Sequence, residues 1–217
     1  MRLTLKTEAL PILLILATWA LVAWYWPHLP DPMPTHWGVN GQPDGWMSRF
    51  WGAVVGPLTS TLVYLMMTLS PYIDPRSRNW AAFGNIYPVL KTSVTALMLF
   101  VTYLALSAAA SVEQVLPASR LLVAIGLLFI VLGNYLPKVR SNFFVGIRTP
   151  WTLSSDEVWV RTHRLAGKLM VALGLLILLC TWLPGSWAAG IVIGASLALT
   201  AVTFVYSYWL YRRQAKS

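Results

Sequence analysis

Cysteine is almost missing from this 217-residue sequence: Cys180 stands alone, inside an apolar run. One cysteine excludes an internal disulfide and a thiolate metal cluster, and this one reads as a small buried or lipid-facing side chain. Charge is scarce too. Only 11% of the residues are charged, against about 25% in a soluble domain. With 57% hydrophobic residues, twelve Trp and a mean hydropathy of +0.63, that scarcity points to a bilayer rather than to a large soluble core. No basic helix face or RNA-binding motif accompanies the net charge of +9, so nucleic acid is not the expected partner. The cations sit between apolar runs, where orientation in a membrane accounts for them. Internal repeats and matched broken helices, the mark of many transporters, are absent as well.

What is present is a series of apolar runs. About 20 helical residues cross the ~30 Å hydrocarbon layer. Ala9 to Trp26 forms the first run. Arg2 and Lys6 precede it, as in a signal peptide, but it ends Trp24-Tyr25-Trp26-Pro27 without a small-x-small cleavage site. A retained helix ending in an aromatic belt is expected. Phe50–Leu69, Thr92–Ala110 and Leu121–Pro137 give the next three spans. The 43 residues between Lys168 and Arg212 lack charge and break at Pro184-Gly185. They give a fifth span ending near Leu183 and a sixth from Trp187 to Tyr211. The fifth must start before Lys168, whose side chain snorkels to the interface. The expected fold is an all-α integral membrane protein with six transmembrane helices. Its sections are residues 1–70 with an outer loop, 71–118 around the third span, and 119–217 with spans four to six. The centres of these runs carry no acidic or basic residue, which argues against an ion pathway.

Six spans place Arg2, Lys6, Arg76, Arg78, Lys91, Arg212, Arg213, Lys216 and all six cations of residues 134–168 on one side. Only Arg49 and Arg120 of the sixteen Lys and Arg fall on the other. The positive-inside rule then predicts both termini in the cytoplasm.

The outer loop, Pro27 to Arg49, collects His28, Asp31, His36 and Asp44. Its prolines predict an extended start. Asn40-Gly41 and Asp44-Gly45 read as turn pairs in a short hairpin-like excursion. Imidazole and carboxylate together suit zinc, although the spacing matches no helix-borne zinc motif. The alternative is that Asp44 caps a turn while His36 hydrogen-bonds within the loop. The spelling Pro34, His36, Trp37, then Gly41, Pro43 and Asp44 resembles a small membrane domain of unknown function with a P-x-H-(x)4-G-x-P-D pattern.

The cytoplasmic loop, Asn134 to Lys168, is the most densely charged gap. Pro137 closes the fourth helix. Gly146 allows a tight turn, and Thr149 before Pro150 is biased to extended geometry. Ser154 to Glu157 reads as a capping box opening a short amphipathic interfacial helix. The cations serve topology and anionic lipid, or the loop is a docking surface with Arg148, Trp151, Trp159 and His163 as exposed anchors. His163 is either a plain interfacial residue or a titrating switch. It lies on the side opposite His28 and His36, so the three cannot share a site.

Asn134, Asn142-Phe143-Phe144, Gly146, Arg148-Thr149-Pro150-Trp151, Trp159 and His163 resemble the signature of the SdpI immunity-protein family. With the outer loop, the resemblance covers nearly the whole chain. It implies a six-span bacterial inner-membrane protein, and no residue is expected to be catalytic. The family's type member protects its producer from a secreted peptide toxin and holds a cytosolic regulator at the membrane. The expectation is therefore an immunity or signalling protein, not an enzyme. Its partners would be the lipid bilayer, a peptide toxin outside and a cytosolic regulator inside, with no cofactor and no nucleic acid. The alternatives are a metal-dependent membrane enzyme using the outer His and Asp residues, and a small-molecule transporter.

Overall fold

The computed structural model describes residues 4–83 and 86–214. Arg2 and Lys216 lie outside the described residues. The long helices are α1 (Leu5–Tyr25), α2 (Arg49–Ile73), α3 (Ile86–Ala110), α4 (Ala118–Tyr135), α6 (Asp156–Leu179) and α7 (Gly185–Gln214). All six are long and apolar enough to cross a membrane. A hairpin of β1 (Met33–Trp37) and β2 (Pro43–Met47) follows α1, and the short α5 (Pro150–Ser154) precedes α6. The chain is a multi-pass, all-α membrane protein.

Several helices run past the expected limits. The third starts at Ile86 rather than Thr92, and the first at Leu5 rather than Ala9. A search for uncharged runs stops at the first charge, but a helix continues where that charge finds a partner. Lys91 is therefore not a loop cation. It lies in α3, 2% exposed, with Nζ 2.7 and 2.5 Å from the two carboxylate oxygens of Glu8 on α1. Tyr64 of α2 donates to Glu8 Oε2 at 2.8 Å, and Lys91 Nζ also lies 3.4 Å from Thr68 Oγ1. A buried ion pair thus ties together the first three helices. The pair sits near the helix ends, outside the apolar runs whose centres are expected to carry no charge, and its groups satisfy one another.

The second half is organised by α4 and α6, which share the most extensive interhelical contact. Gly126 meets Gly174, and Gly133 meets Gly167. A Cβ on Gly167 would stand 2.6 Å from the Gly133 carbonyl, and one on Gly174 equally close to that of Gly126. Small residues let backbones approach where lipid supplies no hydrophobic drive between helices. Their seven-residue spacing in both helices keeps the two contacts on one seam.

Helix direction gives the bundle two ends. At one lie the hairpin, the α3–α4 loop and the start of α7. At the other, the basic end, lie the Ser77–Phe83 turn, the α4–α6 loop and the end of α7. Arg49 and Arg120 are the cations of the hairpin end. Exposed Trp24, Trp46, Trp51, Trp182 and Trp187 gather there, as an interfacial belt requires.

Candidate functional site

The hairpin starts differently from expectation. Trp26–His28 is a helical turn with Pro27 near its start, and extended backbone begins only at Leu29. Met33, 1% exposed, anchors β1 in a core with Leu29, Ala53 and Leu106. The reversal lies at Gly38–Gln42, where Gly41 has φ +78°. Asp44-Gly45 is not a turn. It belongs to β2, opposite His36, and register shifts on either side of His36 absorb the irregularity. Gly41 is pinned from below, since Leu116 N donates to its carbonyl at 2.9 Å. Trp37 Nε1 donates to Gln114 O at 2.8 Å. The hairpin therefore rests on the α3–α4 loop as a platform.

His36 Nδ1 and Asp44 Oδ1 hydrogen-bond directly across the strands, with side chains 74% and 52% exposed. Asp31 is occupied elsewhere: its Oδ1 accepts from Arg49 N at 3.2 Å at the start of α2. His28 lies in the preceding helical turn. Among the described residues no three His, Cys, Asp or Glu converge. Of the four expected donors, His36 and Asp44 come together and His28 and Asp31 stand apart from them. Pro34 is buried, and Pro43 lies in β2 opposite Trp37.

At the basic end the loop after α4 folds around Asn142. This side chain is fully buried and uses its whole amide. Its Nδ2 donates to the carbonyls of Arg140 and Val145, both at 2.9 Å, and its Oδ1 accepts from Phe144 N at 2.8 Å and Val145 N at 2.6 Å. Gly146 follows with φ +120°, and a Cβ there would fall 2.3 Å from His163 Nε2. Only glycine fits both constraints.

Trp159 and His163 are buried, 1% and 0% exposed, and are not docking anchors. They lie one turn apart on α6 with rings stacked 4.0 Å between centroids. Trp159 Nε1 donates to Val139 O at 2.8 Å. His163 Nδ1 donates to Trp159 O at 2.8 Å, and its Nε2 accepts from Ile147 N at 3.0 Å. One donating and one accepting nitrogen is the pattern of the neutral ring. Of the expected anchors, Arg148 is exposed and donates to Phe143 O at 2.5 Å. Trp151 is half-buried against Phe204 and Tyr208 of α7. Asn134 bonds back along its own helix, to Ile130 O at 2.9 Å.

The cap also shifts. Thr149, not Ser154, opens a capping box with Thr152 around α5, and Pro150 takes the first helical position. Ser155 caps α6 through Val158 N. Glu157 pairs instead with Arg161 at 2.7 Å and with Gln214 of α7 at 2.6 Å. The helix at Asp156 then continues unbroken into the fifth span.

Three residues outside the expected site join the halves. Asp74 at the end of α2 is 4% exposed. It accepts from Arg76 N at 2.7 Å, Trp80 Nε1 at 3.0 Å and Phe143 N at 3.0 Å. Arg76 reaches the Ser141 hydroxyl and the Leu153 carbonyl. Asn79 Nδ2 donates to Ser141 O at 2.7 Å. The signal available in the sequence was Ile73-Asp74-Pro75, a lone acid where a span stops.

Residues 138–207 match the SdpI/YfhL protein family, and residues 13–61 match a domain of unknown function, DUF1648. The Immunity protein SdpI of Bacillus subtilis (strain 168) is 22% identical over 212 residues, 96% of this chain and 98% of that protein. No solved structure matches. The chain is thus a multi-pass bacterial membrane protein. The SdpI/YfhL segment holds the loop from Lys138 through α6 and most of α7. DUF1648 spans most of α1, the hairpin and the first half of α2.

Proposed function

We propose that this protein is a membrane immunity protein, giving its cell resistance to a secreted antimicrobial peptide. The observation that carries this reading is the match along nearly its whole length to a protein that bears that function in its name. The basic end would face the cytoplasm by the positive-inside rule, leaving the hairpin outside. There His36, Trp46, Met47, Phe50 and Trp51 stand exposed at the headgroup level. Aromatic and apolar anchors beside a polar pair suit an amphipathic peptide arriving along the membrane surface. The role is one of binding rather than catalysis. At the basic end, Arg148 and the exposed rim of the loop would receive a cytosolic regulator.

Deleting the gene and challenging cells with a panel of membrane-active peptides tests the reading. Increased sensitivity to at least one peptide, restored by the wild-type gene, is the expected result. Unchanged sensitivity across the panel counts against it. Thiol labelling of Gln42→Cys and Ser77→Cys variants in intact cells reports orientation. The first should react with an impermeant reagent and the second only after lysis.

A further inference from the structure

The basic end carries a cleft that neither the hairpin nor the signature loop explains. One cavity of about 480 Å³ is lined by Arg76, Arg78, Asn79, Ser154 and Asp156, with Pro75 and Ser77 at its edge. A second, about 320 Å³, shares Arg78, Asn79 and Asp156 and adds Arg140 and Ser141. Their shared walls make one cleft, at the seam between the Ser77–Phe83 turn and the SdpI/YfhL segment.

The three guanidinium groups are not equally occupied. Arg76 braces the seam through Ser141, Leu153 O and the face of Phe143. Arg78 and Arg140 are exposed, and their guanidinium groups make no hydrogen bond or ion pair among the described residues. The one carboxylate in the lining, Asp156, stands 83% exposed and 3.8 Å from Arg76. The cleft therefore holds more positive charge than its lining answers, with two free donor forks facing a common space.

We propose that this cleft binds a phosphate-bearing anion between Arg78 and Arg140, and that its source is an acidic phospholipid headgroup. A guanidinium fork matches two phosphate oxygens. Hydroxyls of Ser77 and Ser154 and the amide of Asn79 add neutral polar groups to the same lining. The cleft lies directly after α2, whose last residues Tyr72 and Ile73 are 55% and 64% exposed and mark the hydrocarbon boundary. Basic recesses at that depth suit acidic headgroups. Arg78 comes from the N-terminal half and Arg140 from the loop after α4, so a bound anion would clamp the two halves together.

The full chain is purified into nanodiscs of phosphatidylcholine with and without phosphatidylglycerol. Retained lipid is then counted by native mass spectrometry and thermal unfolding is followed. Phosphatidylglycerol should raise the unfolding temperature of the wild type. Its retention should fall at least tenfold in Arg78→Ala/Arg140→Ala but stay near wild type in Arg164→Ala/Lys168→Ala, which loses equal charge elsewhere. Arg78→Lys/Arg140→Lys keeps the charge without the fork and should fall between them. A second arm titrates inorganic phosphate in neutral detergent. Arginine-dependent stabilisation by phosphate, with none by the lipid, keeps the anion site and assigns it to a soluble ligand. Equal loss in both alanine pairs, or no anion effect on the wild type, overturns the proposal.

Discussion

The hairpin end and the basic end join helices through polar loops of similar size, yet they treat polar side chains in opposite ways. At the hairpin end the His36–Asp44 pair stands mostly in solvent. At the basic end Asp74, Asn142, Thr152 and His163 are buried, and each has its hydrogen bonds made within the loop or to the neighbouring half. A buried polar group must be satisfied or it costs stability, whereas an exposed one can bond to water. Residue identity at the basic end is therefore dictated by folding. At the hairpin end the polar identities are not needed by the core and remain available for recognition.

The largest expected effect tests whether buried charge at the basic end is structural. Lys91→Met leaves Glu8 facing the α2–α3 interface without its partner. Removing one member of a buried pair costs roughly 3–5 kcal/mol, so the variant should lose most folded protein in a detergent unfolding titration. Glu8→Gln/Lys91→Met removes both charges and should recover much of that loss. Should the double variant be no better than the single, Lys91 acts through something other than this pair.

Next come the two asparagines of the two loops. Asn142 makes four hydrogen bonds while buried; Asn40 is exposed and accepts one, from Gln42 N at 3.1 Å. At about 1 kcal/mol per bond, Asn142→Ala should cost about 3–4 kcal/mol and Asn40→Ala under about 1. Equal losses would erase the contrast between the ends. Arg76→Ala comes third. It frees Ser141 and the Leu153 carbonyl at a half-buried seam, with an expected cost of about 1–3 kcal/mol. Because it should loosen the halves without unfolding either, limited proteolysis ought to show new cleavage between residues 74 and 80 before any global transition.

Much of this was legible in the sequence and some was not, for identifiable reasons. Apolar runs mark all six spans, the fifth only when extended back past Lys168, because a bilayer makes length and apolarity nearly sufficient. Gly146 and Pro150 were readable because their backbone demands are local. Glu8–Lys91 was not, since it joins residues 83 apart, and a charge beside an apolar run looks like its boundary. Burial of Trp159 and His163 removes them from the docking alternative. Their helical spacing was visible, but nothing local tells that the loop before them folds back over that face. Asp44-Gly45 carries a turn spelling yet lies in a strand, because the bulges beside His36 accommodate it.

The smallest expected effect on stability falls on His36, and it carries the most functional information. Its ring touches Asp44 and is otherwise open, and a solvent-exposed polar pair contributes about 0–1 kcal/mol. His36→Ala should therefore leave the unfolding titration within about 1 kcal/mol of wild type. If the hairpin meets the peptide, protection in the challenge assay should nonetheless fall, and Trp46→Ala on the facing strand should lower it as well. A variant that is stable, membrane-inserted and unprotective separates recognition from folding, which no substitution at Asn142 or Gly146 can do. Full protection by both variants would move the peptide contact away from the hairpin and leave His36–Asp44 as a cross-strand tie alone.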